Sequence, residues 1–224
     1  MLLLALDTAT PAISVALAAL AEVGGGSQGG PQARIIAQRV VVDGKAHAER
    51  LAPAIEAILS EGGVKPRDLA AIVAGVGPGP FTGLRVGLMT AATLGSALGI
   101  PTYGVCTLDT LGVATSGRAL VATDARRREV YWAIYEDGRR VTDPAVDKPA
   151  DLAPLLSREH VRQGVGEGAQ RYADVLGIAA ADPLYPPLEL MVAIAAERVH
   201  GKEKSEALTP LYLRRPDAVE RVVT

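Results

Sequence analysis

Two stretches half a chain apart follow one plan. "LLALDTATPAISVAL", from Leu3, and "LVATDARRREVYWAI", from Leu120, each run an apolar strand into an aspartate, a five-residue turn and a second strand starting at Ile13 or Val130. Asp7 and Asp124 stand 117 residues apart, close to half of the 224-residue chain. A second, weaker pair follows: "VGPGP" at Val76 and "VGEGA" at Val165 each close an apolar strand. Repetition at half length predicts two related α/β lobes, and a chain this long buries roughly 70% of its unfolded surface.

Within each half, a hairpin comes first and helix-connected strands follow. That order resembles the actin, Hsp70 and sugar-kinase (ASKHA) superfold, with mixed sheets flanked by helices and two aspartate turns facing each other across an ATP cleft. The expected lobes are residues 1–105 and 106–224. Fold alone assigns no activity.

Helices are predicted where apolar residues recur at helical spacing. "AHAERLAPAIEAILSEGG" puts Leu51, Ile55, Ile58 and Leu59 on one face and stops at Gly62 and Gly63. Leu84 to Leu98 is a helix that is apolar or small nearly all round, so more than one side must be covered. Further helices are expected in "DKPADLAPLL", "AQRYADVLG" and "PLELMVAIAAERVHG", followed by an extended "LTPLYLRRP" tail. The uncharged run between Arg85 and Asp109 has bilayer length, but Gly99 and Pro101 split it into a helix and a strand, and it reads as buried core rather than a membrane span.

Several motifs fail on inspection. "GVGPGPFTGLRVG" has the glycines of a phosphate loop, yet Pro78 and Pro80 have no N–H to give, and Leu84-Arg85 stands where Lys-Ser/Thr belongs. A structural strand-to-helix turn is expected. Asp7 and Asp124 could hold magnesium through water or could simply cap their turns; with no lysine between Asp7 and Lys45 they are vestigial cofactor candidates at most. "GGSQG" at Gly25 matches a nucleophile pattern but sits in a glycine run rather than a strained elbow. His47 lacks a second ligand at position 50 or 51, and one cysteine, Cys106, allows neither an internal disulfide nor a thiolate zinc cage, so no metal, cofactor or catalytic residue is expected. A net charge of −2 gives no long-range pull on a polyanion. The dense "RRRE" cluster at Arg126, beside Tyr131 and Trp132, is either a solvated turn or a local RNA contact.

"LALDTATPAISVAL", "HAERLAPAIEAIL", "VAGVGPGPFTGLRVGL", "LGIPTYGVCTLDTL", "DARRREVYWAIY" and "LYLR" together resemble the TsaB (YeaZ) family, across both halves. Pro80 stands where that family commonly has serine, Arg128 where it often has glycine, and the glycine loop at 24–31 is added. The resemblance implies a non-catalytic dimerisation subunit of the bacterial tRNA threonylcarbamoyladenosine machinery. In that family the catalytic TsaD carries the metal and ATP chemistry, TsaE is an ATPase that joins the assembly, and TsaB binds TsaD through its first lobe or pairs with itself through the same face. It further implies a cytoplasmic protein with no membrane contact, a homodimer when alone, and tRNA met only through the complex. His47, Leu51, Ile55, Ile58, Leu88, Ala92 and Gly95 are the expected partner face. The competing expectation is an ATP-dependent small-molecule kinase using Asp7 and Asp124. Proteolysis, once attached to the family, lacks a nucleophile or metal.

Overall fold

A computed structural model describes residues 1–21 and 32–214 of the chain. The first sheet is built from β1 (Leu2–Asp7), β2 (Ala12–Ala21) and β3 (Gln32–Val42), then, after helix α1 (His47–Glu61), from β4 (Ala71–Gly75) and, after α2 (Phe81–Leu98), β5 (Thr102–Val105). Its order is β3-β2-β1-β4-β5, antiparallel through the hairpins and parallel from β1 to β5. Helix α3 (Thr107–Gly112) leads into the second sheet: β6 (Arg118–Asp124), β7 (Val130–Glu136), β8 (Arg139–Arg140), β9 (Ala145–Asp147), helix α4 (Pro149–Arg158), β10 (Gln163–Val165), helices α5 (Glu167–Arg171) and α6 (Ala173–Leu176), β11 (Ala179–Ala181) and helix α7 (Leu188–His200). The order β11-β10-β6-β7-β8, with β9 also on β7, repeats the first sheet's topology. The repeat extends to single residues. Gly77 and Gly166, which follow the paired valines, both have positive φ (90° and 97°), a conformation glycine reaches without Cβ strain.

The unbroken apolar run of β1 follows from cover on both faces. Leu4 and Leu6 point to α1 and α2, where they meet Leu51, Ile58, Leu84 and Leu88. Leu3 and Ala5 point to α7, where small residues on both sides, Ala16 and Ala18 against Ala195 and Ala196, let helix and sheet approach closely. Each Leu or Ile so buried contributes roughly 2 kcal/mol. Helix α7 thus covers the first sheet although its residues come from the second half of the chain. The second sheet packs α4 and α6 on one face and α3 on the other.

Two expected elements shift. Helix α2 begins at Phe81 rather than Leu84, because Pro80 at the N-cap needs no N–H partner and Gly83 belongs to the first helical turn. It ends, as expected, at Gly99 in the left-handed conformation (φ 66°), with Ile100 N–H donating to Gly95 O. "AQRYADVLG" forms two short helices broken at Tyr172 (φ −118°) rather than one. The glycine loop and the "GGSQG" match lie outside the described residues, except Gln32, which is in β3.

After α7 the chain returns across both sheets. Glu206 N–H donates to Thr102 O at 2.9 Å, Leu211 N–H to Val76 O at 2.8 Å, and an Arg214 guanidinium N–H to Ala125 O at 3.0 Å. Among the described residues no helix is long and apolar enough to cross a membrane.

Candidate functional site

The two aspartates sit where the repeat puts them, at the ends of β1 and β6. Asp7 Oδ1 accepts from Ala9 N–H at 2.9 Å and Oδ2 from the Thr107 hydroxyl at 2.7 Å. Burial pushes its carboxyl from 3.8 up to about 6, against the lowering effect of those two bonds. Asp124 accepts from Arg126 N–H at 3.3 Å and pairs with Arg171 at 3.3 Å. Its own N–H donates to Glu167 Oε1, a carboxyl that sequence reasoning passed over; burial pushes Glu167 up to about 7, and the neighbouring Asp124 and Asp7 add to the rise. Raised carboxyls in a cleft are a common mark of catalysis; Asp7 is only 1% exposed. Among the described residues no group of His, Cys, Asp and Glu is placed to hold a metal. Cys106 is pushed up to about 11, mainly by burial and then by Asp109, and stays a protonated thiol at neutral pH.

The sign of the Asp7 effect on stability follows directly. A carboxyl that titrates near 6 when folded and near 3.8 when unfolded binds its proton more tightly in the folded chain, so stability falls as pH rises from about 4 to about 6 and is flat above. Two pH units correspond to roughly 3 kcal/mol. Asp7→Asn removes this slope: its urea unfolding free energy minus that of the parent should grow by roughly 3 kcal/mol between pH 4 and pH 7. Equal differences at both pH values would contradict it.

The chain itself packs against the first hairpin turn, leaving a cavity of about 190 Å³ beside Thr8, Thr10 and Gly83. In a nucleotide-binding arrangement the first hairpin turn would offer its backbone to phosphates; here Thr8, Ala9 and Thr10 are buried. The Thr8 hydroxyl donates to Gly83 O at 2.7 Å and accepts from Gly87 N–H at 3.1 Å, and His47 Nε2–H donates to Thr10 O at 2.9 Å. A Cβ on Gly79 would stand 2.8 Å from Ala9 Cα, and one on Gly83 2.7 Å from Thr8 O. Gly79 and Gly83 therefore serve close approach of two backbones, while Gly77 serves the turn's positive φ. The turn is structural.

The other feature is an apolar groove of about 740 Å³ between α1 and α2, walled by Ala52, Ile55, Leu59, Val64, Met89 and Leu94, with Glu56 and Lys65 at its rim. Met89 is 64% exposed, unusual for so apolar a side chain. Of the seven residues expected at the partner face, His47, Leu51, Ile55, Ile58, Leu88 and Gly95 are buried within the lobe, and Ala92 alone is exposed. Ile55 still contributes an edge to this groove, while Ala92 and Gly95 border a second one beneath residues 205–208. Ala52 and Met89, exposed on α1 and α2, line this groove beside Ile55 and Leu59 of the core stripe.

Comparison with known proteins bears on these features. Over 232 residues the chain is 32% identical to "tRNA threonylcarbamoyladenosine biosynthesis protein TsaB" of Escherichia coli, covering 96% of this chain and 95% of that one. The chain belongs to the TsaB/YeaZ family. A solved family structure, "YeaZ from Pseudomonas aeruginosa", superposes with a TM-score of 0.72 at 32% identity, covering 95% of this chain and 99% of that one. Two mixed sheets of one repeated strand order, flanked by helices, and the match to this family structure fit a fold of the actin, Hsp70 and sugar-kinase type. A family model described as "TsaD: tRNA N6-adenosine threonylcarbamoyltransferase" matches residues 36–184. An uncharacterized protein of Mycobacterium leprae is 44% identical over 97% of this chain, which spans 56% of that protein's length.

Proposed function

We propose that this TsaB/YeaZ-family chain takes part in making threonylcarbamoyladenosine in tRNA as a non-catalytic subunit. Its partner is a TsaD-like catalytic subunit, bound through the groove between α1 and α2; alone, the chain pairs with a second copy over the same face. A TsaE-like ATPase joins the assembly, tRNA reaches the chain through the complex, and the setting is the cytosol. The first lobe, within residues 1–105, carries the partner face, and the second, within 106–224, supports it, except that α7 packs on the first sheet. The observation that carries the reading is the packed first turn: Thr8, Ala9 and Thr10 are buried, with the Thr8 hydroxyl bonded to α2, the Thr10 carbonyl to His47 of α1, and Ala9 N–H to Asp7. The names of the relatives and the apolar groove support the rest.

Because six of the seven anticipated side chains face the core, they shape the face from beneath, and the contact itself falls to their exposed neighbours. Ala52→Glu and Met89→Asp should each weaken association with the TsaD-like subunit at least tenfold in sedimentation velocity, with unfolding free energy moving by less than about 0.5 kcal/mol. Undiminished association in both variants overturns the proposed face. Micromolar binding of ATP with magnesium by the isolated chain, measured by calorimetry, would instead favour a kinase using Asp7 and Asp124.

A further inference from the structure

After α7 the chain runs back over both lobes as a strap, residues 203–214, whose two ends are fastened in different ways. The first end is tied down along β5, the outer strand of the first sheet. Glu203 O accepts from the Tyr103 hydroxyl at 2.8 Å, the Ser205 hydroxyl oxygen from Thr102 N–H at 3.0 Å, and Glu206 Oε2 from Gly104 N–H at 3.1 Å. Glu206 also gives its own N–H to Thr102 O and pairs with Arg198 of α7. Leu208 then packs against the core that α1 and α2 share.

The far end, residues 211–214, lies nearer the surface. Leu211 N–H donates to Val76 O, and the Tyr212 ring stacks on Phe81 of α2 with centroids 5.2 Å apart and planes 27° from parallel. Both rings remain more than a third exposed. Arg85 lies over the Phe81 ring at 3.8 Å, and its Nε–H donates to the Tyr212 hydroxyl at 2.9 Å. Arg214 then crosses to the second lobe, where it donates to Ala125 O at 3.0 Å and pairs with Glu129. Between the two ends the strap bonds to itself, Thr209 N–H to Ala207 O at 2.8 Å and Tyr212 N–H to Pro210 O at 3.0 Å.

The far end therefore bridges a helix of the first lobe and a turn of the second. It walls a cavity of about 120 Å³ lined by Gly79 and Pro80 from the first lobe and Ala125 from the second. A half-exposed ring pair and a few surface hydrogen bonds hold far less firmly than a buried core, and segments so held open locally while the rest of a fold stays closed. We propose that residues 211–214 are a latch arm, hinged at Thr209–Pro210 on the anchored part of the strap, that clamps the β6–β7 turn of the second lobe to α2 of the first. Lifting the arm frees that turn and leaves both sheets and the anchor on β5 intact. Because α2 also walls the groove with Met89 and Leu94, the latch ties that face to the second lobe.

The test is amide-resolved hydrogen exchange by NMR on the full chain. Tyr212→Ala removes the stack and the bond from Arg85, and should speed exchange of Leu211 N–H and of Ala125 N–H, which donates to Glu129 O, about tenfold. Gly104 and Glu206 in the anchor, and the amides of β1 and α7, should change less than about threefold. Tyr212→Phe keeps the stack and should give a smaller rise. Arg214→Ala should speed Ala125 while leaving Leu211 near its parent rate. Unchanged exchange at Ala125 in both alanine variants overturns the latch, since the arm would then hold nothing across the seam. An equal rise at Gly104 and Glu206 overturns the hinge, and an equal rise in β1 and α7 reduces the effect to lost global stability.

Discussion

Replacing Gly79 with alanine is expected to lower the unfolding free energy by about 3 kcal/mol, at the upper end of what overpacking usually costs. The new methyl carbon would lie 2.8 Å from both Ala9 Cα and Ala9 C, and closer still to the carbonyl oxygen. All three are backbone atoms of a turn gripped by α1 and α2 through Thr8 and Thr10, so no flexible side chain can swing aside. The measurement is the urea midpoint at constant m-value. A shift below about 1 kcal/mol would mean that the turn can relax, and with it the claim that these glycines exist for backbone contact.

Leu51→Asp should abolish the cooperative unfolding transition. Leu51 is 1% exposed, in an apolar core cluster shared with Leu4, Leu6 and Leu84. Burying an unpaired charge falls among the rare substitutions that cost more than about 4 kcal/mol, a large part of the 5–15 kcal/mol available to a typical domain. The parent should show a sigmoidal near-ultraviolet transition in urea, and the variant none. A folded Leu51→Asp chain would mean that α1 turns a different face to the sheet. This substitution is therefore a probe of folding, and the groove has to be tested at Ala52 and Met89.

That reassignment shows what the residues could and could not tell. The hairpins, the two aspartates and the paired valine-glycine turns were legible because they depend on local rules: strand period, turn chemistry and the repetition of both at half length. Helical spacing likewise located α1 and α2. It also set the expected partner face on positions 51, 55 and 58, an apolar stripe that the lobe's own sheet buries. The outward face was visible only as a second, thinner run of apolar side chains on α1 and α2, including Ala52 and Met89. Helix α7 was read as a helix, but its placement on the first sheet could not be, because periodicity says that a face is covered and not by which sheet. Glu167 stood plainly in "VGEGA", yet its role depends on a neighbour 43 residues earlier in the chain, Asp124, whose N–H it accepts.

The path of α7 has a consequence for biosynthesis. A ribosome makes the first sheet early, yet the layer that Leu188 to Val199 provides for one of its faces emerges only after the whole second sheet has been translated. Throughout that interval Leu3, Val73 and Tyr103 belong to a half-dressed nascent lobe, the kind of exposed oily surface that chaperones hold. Maturation of the first lobe thus waits for the translation of α7, and the two halves, though built on one plan, reach their final form together.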